Sequence, residues 1–211
     1  VAIDGPAGSG KGTITKIVAE KLNLIYIDSG ATYRCVALAA LRNNLGVEDK
    51  ADIIELTKTL DINFTQDGRT ILNGEDVSKE IRSKEVSEIV SPISSIIEVR
   101  EILVNLQRKM ANNNDVIMEG RDITTVVFPN ANYKFYLDAS IEERAKRRFK
   151  QNEEMNIHIP MEELIESIEK RDYNDMHKPV GALIRTSDQI YIDSTNMTID
   201  EVVNEIIKNI K

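Results

Sequence analysis

Five short apolar runs punctuate the chain, at Ala2–Asp4, Leu24–Asp28, Asp115–Glu119, Tyr133–Asp138 and Gln189–Asp193. Most are separated by stretches in which apolar residues recur every three or four positions. Ile14, Ile17, Val18 and Leu22 form one such stripe. Val99, Ile102, Leu103, Leu106 and Met110 form a second, and Met161, Leu164, Ile165 and Ile168 a third. Ile199, Val202, Val203, Ile206, Ile207 and Ile210 close the chain. Short buried strands alternating with amphipathic helices predict an α/β fold: a five-stranded parallel sheet with helices on both faces. Ser140 with Glu143, and Thr198 with Glu201, have the spacing of capping boxes that open the helices after Leu137-Asp138 and at the C-terminus.

The segment Asp61–Val77 breaks this rhythm. Leu60, Ile62 and Phe64 alternate, Asp67-Gly68 offers a turn, and Ile71-Leu72 leads to a second turn at Asn73-Gly74. Two tight turns so close together predict a small antiparallel sheet. It is expected within an insertion of about residues 55–95, either a flap over a substrate or a stabilising appendage, with the flap favoured because it follows the segment that carries Arg34.

With 211 residues the chain can bury a full core in one domain, residues 1–211, with room for that insertion. The lone cysteine, Cys35, excludes an internal disulfide, and its neighbours Val36, Ala37 and Leu38 favour a packed thiol over a nucleophile. A net charge of −8 argues against non-specific nucleic-acid binding. Its arginines are nonetheless concentrated, at Arg144, Arg147 and Arg148 and around Arg121 and Arg171, which suits a small, highly charged ligand. No run approaches the roughly 20 apolar residues of a membrane span, and no signal-peptide pattern opens the chain. A cytoplasmic protein is expected. The chain opens inside a strand without methionine, and a few native residues are expected to precede Val1.

The chemistry starts at the first turn. The run Gly5-Pro6-Ala7-Gly8-Ser9-Gly10-Lys11-Gly12-Thr13 follows an apolar strand and opens an amphipathic helix. Its glycines let successive backbone N–H groups converge on an anion, and the helix aims its positive end at the same spot. Lys11 adds an ammonium that can follow the outer phosphates of a nucleoside triphosphate. Gly12 stands where the common P-loop has Ser or Thr, so the hydroxyl that ligands magnesium is missing there and Thr13 is its nearest substitute.

Other charged groups cluster at predicted strand ends, where open α/β sheets bind ligands. Asp28-Ser29 ends the second strand and is expected to face the P-loop, and Arg34 follows as a fork for a second phosphate. The third strand ends in Glu119-Gly120-Arg121-Asp122, a glycine flanked by an acid, an arginine and another acid. Arg171, three residues beyond Ile168, is expected to continue that helix's buried stripe, with Asp175 as its partner or as a contact to ribose. Arg144, Arg147 and Arg148 form one charged patch, a candidate lid over ATP. An ATP-binding switch and a kinase for another monophosphate are the alternatives to weigh.

Gly5–Thr13, Asp28–Arg34, Glu119–Asp122, Val126-Val-Phe-Pro129, Leu137–Arg144, Arg171-Asp-x-x-Asp175 and Tyr191-Ile-Asp-Ser-Thr195 occur together and in order. On these motifs the chain resembles the bacterial cytidylate kinases, P-loop nucleoside monophosphate kinases, over essentially its whole length. The resemblance implies transfer of the ATP γ-phosphoryl group to CMP and dCMP, giving CDP or dCDP plus ADP, in pyrimidine nucleotide metabolism. It also implies strand order 2-3-1-4-5, a monophosphate-binding insertion, a short lid at about 145–175, and a monomer. By the matched motifs, Lys11 and the amides from Gly5 to Thr13 hold the ATP phosphates, with Arg147 near the adenine. Arg34 and Arg121 hold the phosphate of CMP. Ser91, Arg100 and Asp122 read the cytosine edge, and Ser29 and Tyr33 line the same pocket. Arg171 meets the lid side, Asp175 the ribose, and Lys178 helps to hold the monophosphate. Magnesium is carried by ATP. Two departures stand out: Glu119 where the family has Asp, and Lys178 where it has Arg, which keeps the charge but loses the fork.

Overall fold

All five apolar runs form strands, and the elements follow in the order β1 (Ala2–Asp4), α1 (Lys11–Leu22), β2 (Ile25–Asp28), α2 (Ser29–Arg42), α3 (Lys50–Thr59), β3 (Ile62–Phe64), β4 (Thr70–Leu72), β5 (Glu75–Asp76), α4 (Lys84–Ile93), α5 (Ile97–Met110), β6 (Val116–Gly120), β7 (Lys134–Asp138), α6 (Ile141–Glu154), α7 (Met161–Met176), β8 (Ile190–Asp193) and α8 (Ile199–Asn209). This computed structural model describes residues 1–65, 68–112, 114–154 and 157–210. The larger sheet has the order β2-β6-β1-β7-β8, which is 2-3-1-4-5 when its strands are numbered along the chain. The chain packs as two units, Val1–Asn23 with Ile117–Lys211, and Leu24–Val116.

In the first unit β1 is the hub. It pairs in parallel with β6, Asp4 opposite Gly120, and with β7, Asp4 opposite Tyr136. β7 in turn pairs in parallel with β8. Ala2, Ile3, Ile117, Met118, Phe135 and Leu137 are fully buried, so these strands are apolar throughout rather than alternating, as a sheet covered on both faces requires. The expected capping box at Thr198 and Glu201 forms in full. The one at Ser140 forms by half. Ser140 Oγ accepts from the Glu143 N–H (3.2 Å), but the Ser140 N–H donates to Thr195 Oγ1 (2.8 Å) and the Glu143 carboxylate turns to Arg147 (3.0 Å). A better-placed acceptor on the neighbouring strand end displaced the local one.

The second unit is built on α2. Asp28 caps it by accepting from the Ala31 N–H at 3.1 Å. Ala31, Val36, Ala37 and Ala40 and the thiol of Cys35 are fully buried, so the helix is apolar nearly all round and must be covered on several sides. Burial pushes the Cys35 thiol up to about 12, with Asp28 adding to the shift, which makes it the packed, inert group expected. Ile53, Ile62, Leu72, Val77, Ile81, Val86, Ile93 and Leu103 join the same cluster. Each such isoleucine or leucine stabilises the unit by about 1.5–3 kcal/mol. The small antiparallel sheet β3-β4-β5 therefore shares one core with α2 and α5. Its Asn73-Gly74 turn has positive φ at both residues, 51° and 83°, the geometry that joins two strands by a tight turn. The other expected turn includes Asp67, which lies outside the described residues.

Candidate active site

The register of β1 on β6 sets the site's first half. Asp4 and Gly120 are partners, so the loop Gly5–Gly10 and the run Arg121-Asp122 leave adjacent strand ends. Gly8 and Gly10 take φ of 78° and 89°, a region in which a side chain is strained. Gly5 is there for space: a Cβ would lie 2.0 Å from the Leu137 carbonyl oxygen. Lys11 opens α1 with its side chain buried, and its Nζ donates to the Pro6 carbonyl (2.7 Å) and to Ser9 Oγ (3.3 Å). Burial, and then Arg121, push its pKa down to about 7, against the pull of Glu119 and Asp4, with Arg171 adding to the depression. A polyphosphate reaching this loop would restore the charge. Thr13 is exposed on the first turn of α1.

Beneath the loop lies a polar network that the sequence reading missed. Asp4, fully buried, accepts from the N–H groups of Ile123 and Thr124 (2.8 Å each) and from Thr124 Oγ1 (2.6 Å). Burial raises its pKa in spite of those three donors. Thr124 Oγ1 also accepts from Gln189 Nε2 at 2.5 Å, and Gln189 Oε1 accepts from the Thr186 N–H at 2.8 Å. The turn that follows Asp122, a π-helical turn at Ile123–Val127, is thereby fixed to the last residue of β1. Glu119 and Asp122 are themselves buried.

α7 carries the cations and acids of the outer side. The expectation that Arg171 follows the buried stripe is incorrect. Leu164, Ile168, Asp172 and Asp175 are the buried positions, and Arg171 is exposed. Steps of four, four and three keep pace with 3.6 residues per turn, whereas position 171 lies about 100° to the side of 172. Asp175 faces inward, with Arg121 and Lys178 on its carboxylate. That carboxylate accepts from Arg121 Nε at 2.8 Å and pairs with Lys178 Nζ at 3.4 Å. Burial works to raise the Asp175 pKa, but Arg121, Lys178 and Arg171 together hold it below the usual value.

The three arginines of α6, expected as one charged patch, differ in burial. Arg144 is 3% exposed and bonded to the Ala7 and Ala139 carbonyls (3.0 Å each) and to Asp172 (2.5 Å). Arg147 is half-buried, with Nη1 on the Ser9 carbonyl (3.1 Å) and Nη2 on the Ser194 carbonyl (2.8 Å). Arg148 alone is exposed.

In the second unit, Arg34 Nη1 donates to the Ile81 carbonyl and to Ser87 Oγ, both at 3.0 Å. Arg100 is buried, bonded to the Ser94 carbonyl (3.2 Å), with its guanidinium 5.3 Å from the centre of the Tyr33 ring. Ser29 and Tyr33 are buried on α2, while Ser91 is exposed on the last turn of α4, its carbonyl accepting from Ser94 Oγ (2.9 Å) and Ser95 Oγ (3.0 Å). Gln107 reaches from α5 to donate to Thr32 Oγ1 at 2.9 Å, and Thr32 donates on to the Ser29 carbonyl at 2.7 Å. A buried glutamine inside an amphipathic stripe was the available signal for this contact.

Two chemistries are thus at hand: a loop able to bind a chain of phosphates, and separate arginines able to hold other anions. The cytidylate kinase family model matches residues 1–211. A cytidylate kinase of Clostridium acetobutylicum is 48% identical over 210 residues, covering 100% of this chain and 96% of that protein. One of Desulforamulus reducens is 50% identical over 209 residues, covering 98% and 94%. Among solved structures, a shikimate kinase from Bacteroides thetaiotaomicron superimposes with a TM-score of 0.50 at 15% identity, covering 98% of this chain and 95% of that one, and so speaks for the fold alone. Matched from its first residue to its last, the chain belongs to the cytidylate kinase family.

Proposed function

We propose that the chain moves the γ-phosphoryl group of ATP to CMP and dCMP, releasing ADP and CDP or dCDP. The observation that carries this reading is the register that sets the glycine loop and buried Lys11 beside Glu119-Gly120-Arg121-Asp122. Family membership over the full length supports the substrate class.

In this reading the amides of Gly5–Thr13 and Lys11 hold the ATP phosphates, and Arg147 lies near the adenine. Arg34 and Arg121 hold the phosphate of CMP, with Lys178 as a further cation. Ser91, Arg100 and Asp122 read the cytosine edge, Ser29 and Tyr33 line its pocket, and Asp175 meets the ribose. A phosphate oxygen of CMP attacks the γ-phosphorus in line. The protein's part is to position the two phosphates and spread the charge of the moving group over Lys11, Arg121 and the exposed Arg171. Magnesium carried by ATP would supply neutralising charge to the phosphates. The exposed hydroxyl of Thr13 and the carboxylate of Glu119 are hard oxygen donors of the kind it takes. Residues of about 55–95 serve the monophosphate and about 145–175 act as the lid of a single kinase domain.

Cytosine offers an amine donor beside a ring acceptor, whereas uracil presents a carbonyl acceptor and a ring N–H in those two places. Buried polar readers such as Arg100 and Asp122 would meet mismatched groups on UMP, a mismatch that can cost up to about 10⁴-fold. The chain acts on small nucleotides as a cytoplasmic monomer, the state its resemblance to the family implies, and its net charge of −8 speaks against nucleic acid as a partner. Among the described residues no helix is long and apolar enough to cross a membrane. The test is ADP release from ATP and magnesium with CMP, dCMP, UMP, AMP and GMP offered separately. Turnover confined to CMP and dCMP is expected. Preference for another monophosphate overturns the substrate assignment.

A further inference from the structure

We infer that Arg144, anchored by Asp172, is a positioning residue for the glycine loop: by holding a loop carbonyl outward it aims the loop's N–H groups at the nucleotide phosphates. In a trans peptide the carbonyl and the following N–H point in opposite directions. Fixing one therefore fixes the other. Arg144 Nη1 holds the Ala7 carbonyl at 3.0 Å, which directs the Gly8 N–H away from α6. One turn along the same helix, Arg147 Nη1 holds the Ser9 carbonyl at 3.1 Å, which does the same for the Gly10 N–H. The approach is close, since a Cβ on Gly8 would lie 3.2 Å from Arg144 Cβ. These are the two glycines with φ of 78° and 89°, a backbone that an unsupported loop has little reason to hold as one conformer.

Arg144 is not itself a phosphate ligand. It is 3% exposed, and its three nitrogens are committed: Nε to the Ala139 carbonyl, Nη1 to Ala7 and Nη2 to Asp172. Bonding in three directions from one planar group is something a lysine cannot do. Asp172 lies next to the exposed Arg171 on α7, so the anchor also ties the loop to the helix that presents that cation. A solvent-facing lid arginine would show none of these contacts.

The inference rests on the reading of this loop as the ATP site. The test uses the full chain, with ADP binding followed by calorimetry, KM for CMP at saturating ATP, and melting temperature. Arg147 is itself assigned to ATP, so Arg144 is the informative position. Arg144→Met should weaken ADP binding by about 10- to 100-fold, the scale of lost hydrogen bonds from a charged donor, and leave KM for CMP within about twofold. Arg144→Lys should recover part of that loss. Because Arg144→Met strands the buried Asp172 carboxylate, the deciding variant is Arg144→Met/Asp172→Leu, which replaces the ion pair by an apolar pair and can preserve stability. Weak ADP binding in a double variant that melts like the wild type establishes the positioning role. Wild-type ADP binding in that variant overturns it and leaves the pair a merely structural one. Wild-type protein that binds no ADP overturns the reading of the loop instead.

Discussion

Removing Arg121 should change the proton bookkeeping of ATP-site binding, although the proposed contact of Arg121 is with the other substrate. Lys11 is held at about 7 by burial first and by Arg121 second. At pH 8, one unit above that value, about nine-tenths of the free protein carries Lys11 neutral. A bound diphosphate recharges the ammonium, so ADP binding at pH 8 should take up about 0.9 of a proton. Arg121→Ala removes the largest cationic contribution to that depression. The Lys11 pKa therefore rises in the variant, and its proton uptake at pH 8 falls below that of the wild type. The assay is calorimetry of ADP binding at pH 8 in two buffers of different ionisation enthalpy, where the nucleotide phosphates are already ionised. Equal uptake in wild type and variant, or greater uptake in the variant, would refute the argument. The linkage has a second consequence. The unfolded chain binds the Lys11 proton up to about 10.5 and the folded chain only to about 7, so Lys11 makes stability rise with pH across that window.

Arg34→Ala should lower kcat/KM for CMP by about 10²–10³-fold while the fold survives; near wild-type kcat/KM would reject its role. Gly5→Ala would place a Cβ 2.0 Å from the Leu137 carbonyl oxygen, so it should cost about 3 kcal/mol or more and abolish the stabilisation that ADP is expected to give in thermal melts. An unchanged melting temperature would contradict that contact. Thr198→Ala breaks the capping box of α8 and should cost about 1 kcal/mol, or 2–4 °C in melting temperature, with kcat/KM unchanged.

The elements that sequence reveals are those whose signal is local. Apolar runs such as Tyr133–Asp138 and the stripe Val99–Met110 were legible because burial repeats with the period of the element itself. Thr198 and Glu201 were legible because both halves of the cap lie within one turn. Ser140 misled because its second partner, Thr195, comes from a strand end 55 residues away. Arg171 misled because extending a stripe by +3 ignores the drift of the helix, and Asp172 and Asp175 take the inner face instead. The loop and the charged residues at Glu119–Asp122 were visible as residue types at strand ends. What each arginine holds was not. Arg34 reaches Ile81 and Ser87, and Arg144 reaches Ala7, across 47, 53 and 137 residues. The Asp4, Thr124 and Gln189 network was hidden for the same reason, since nothing local marks a buried aspartate's partners.

Direct transfer between two nucleotides is tested best by the fate of the moving phosphoryl group. ATP labelled at the γ-phosphate would be incubated with magnesium, CMP and the chain, and the products separated. The label is expected on the β-phosphate of CDP, with ADP formed in equal amount. Label released as inorganic phosphate, with CMP recovered unchanged, would contradict direct transfer and describe a nucleotide-hydrolysing switch instead.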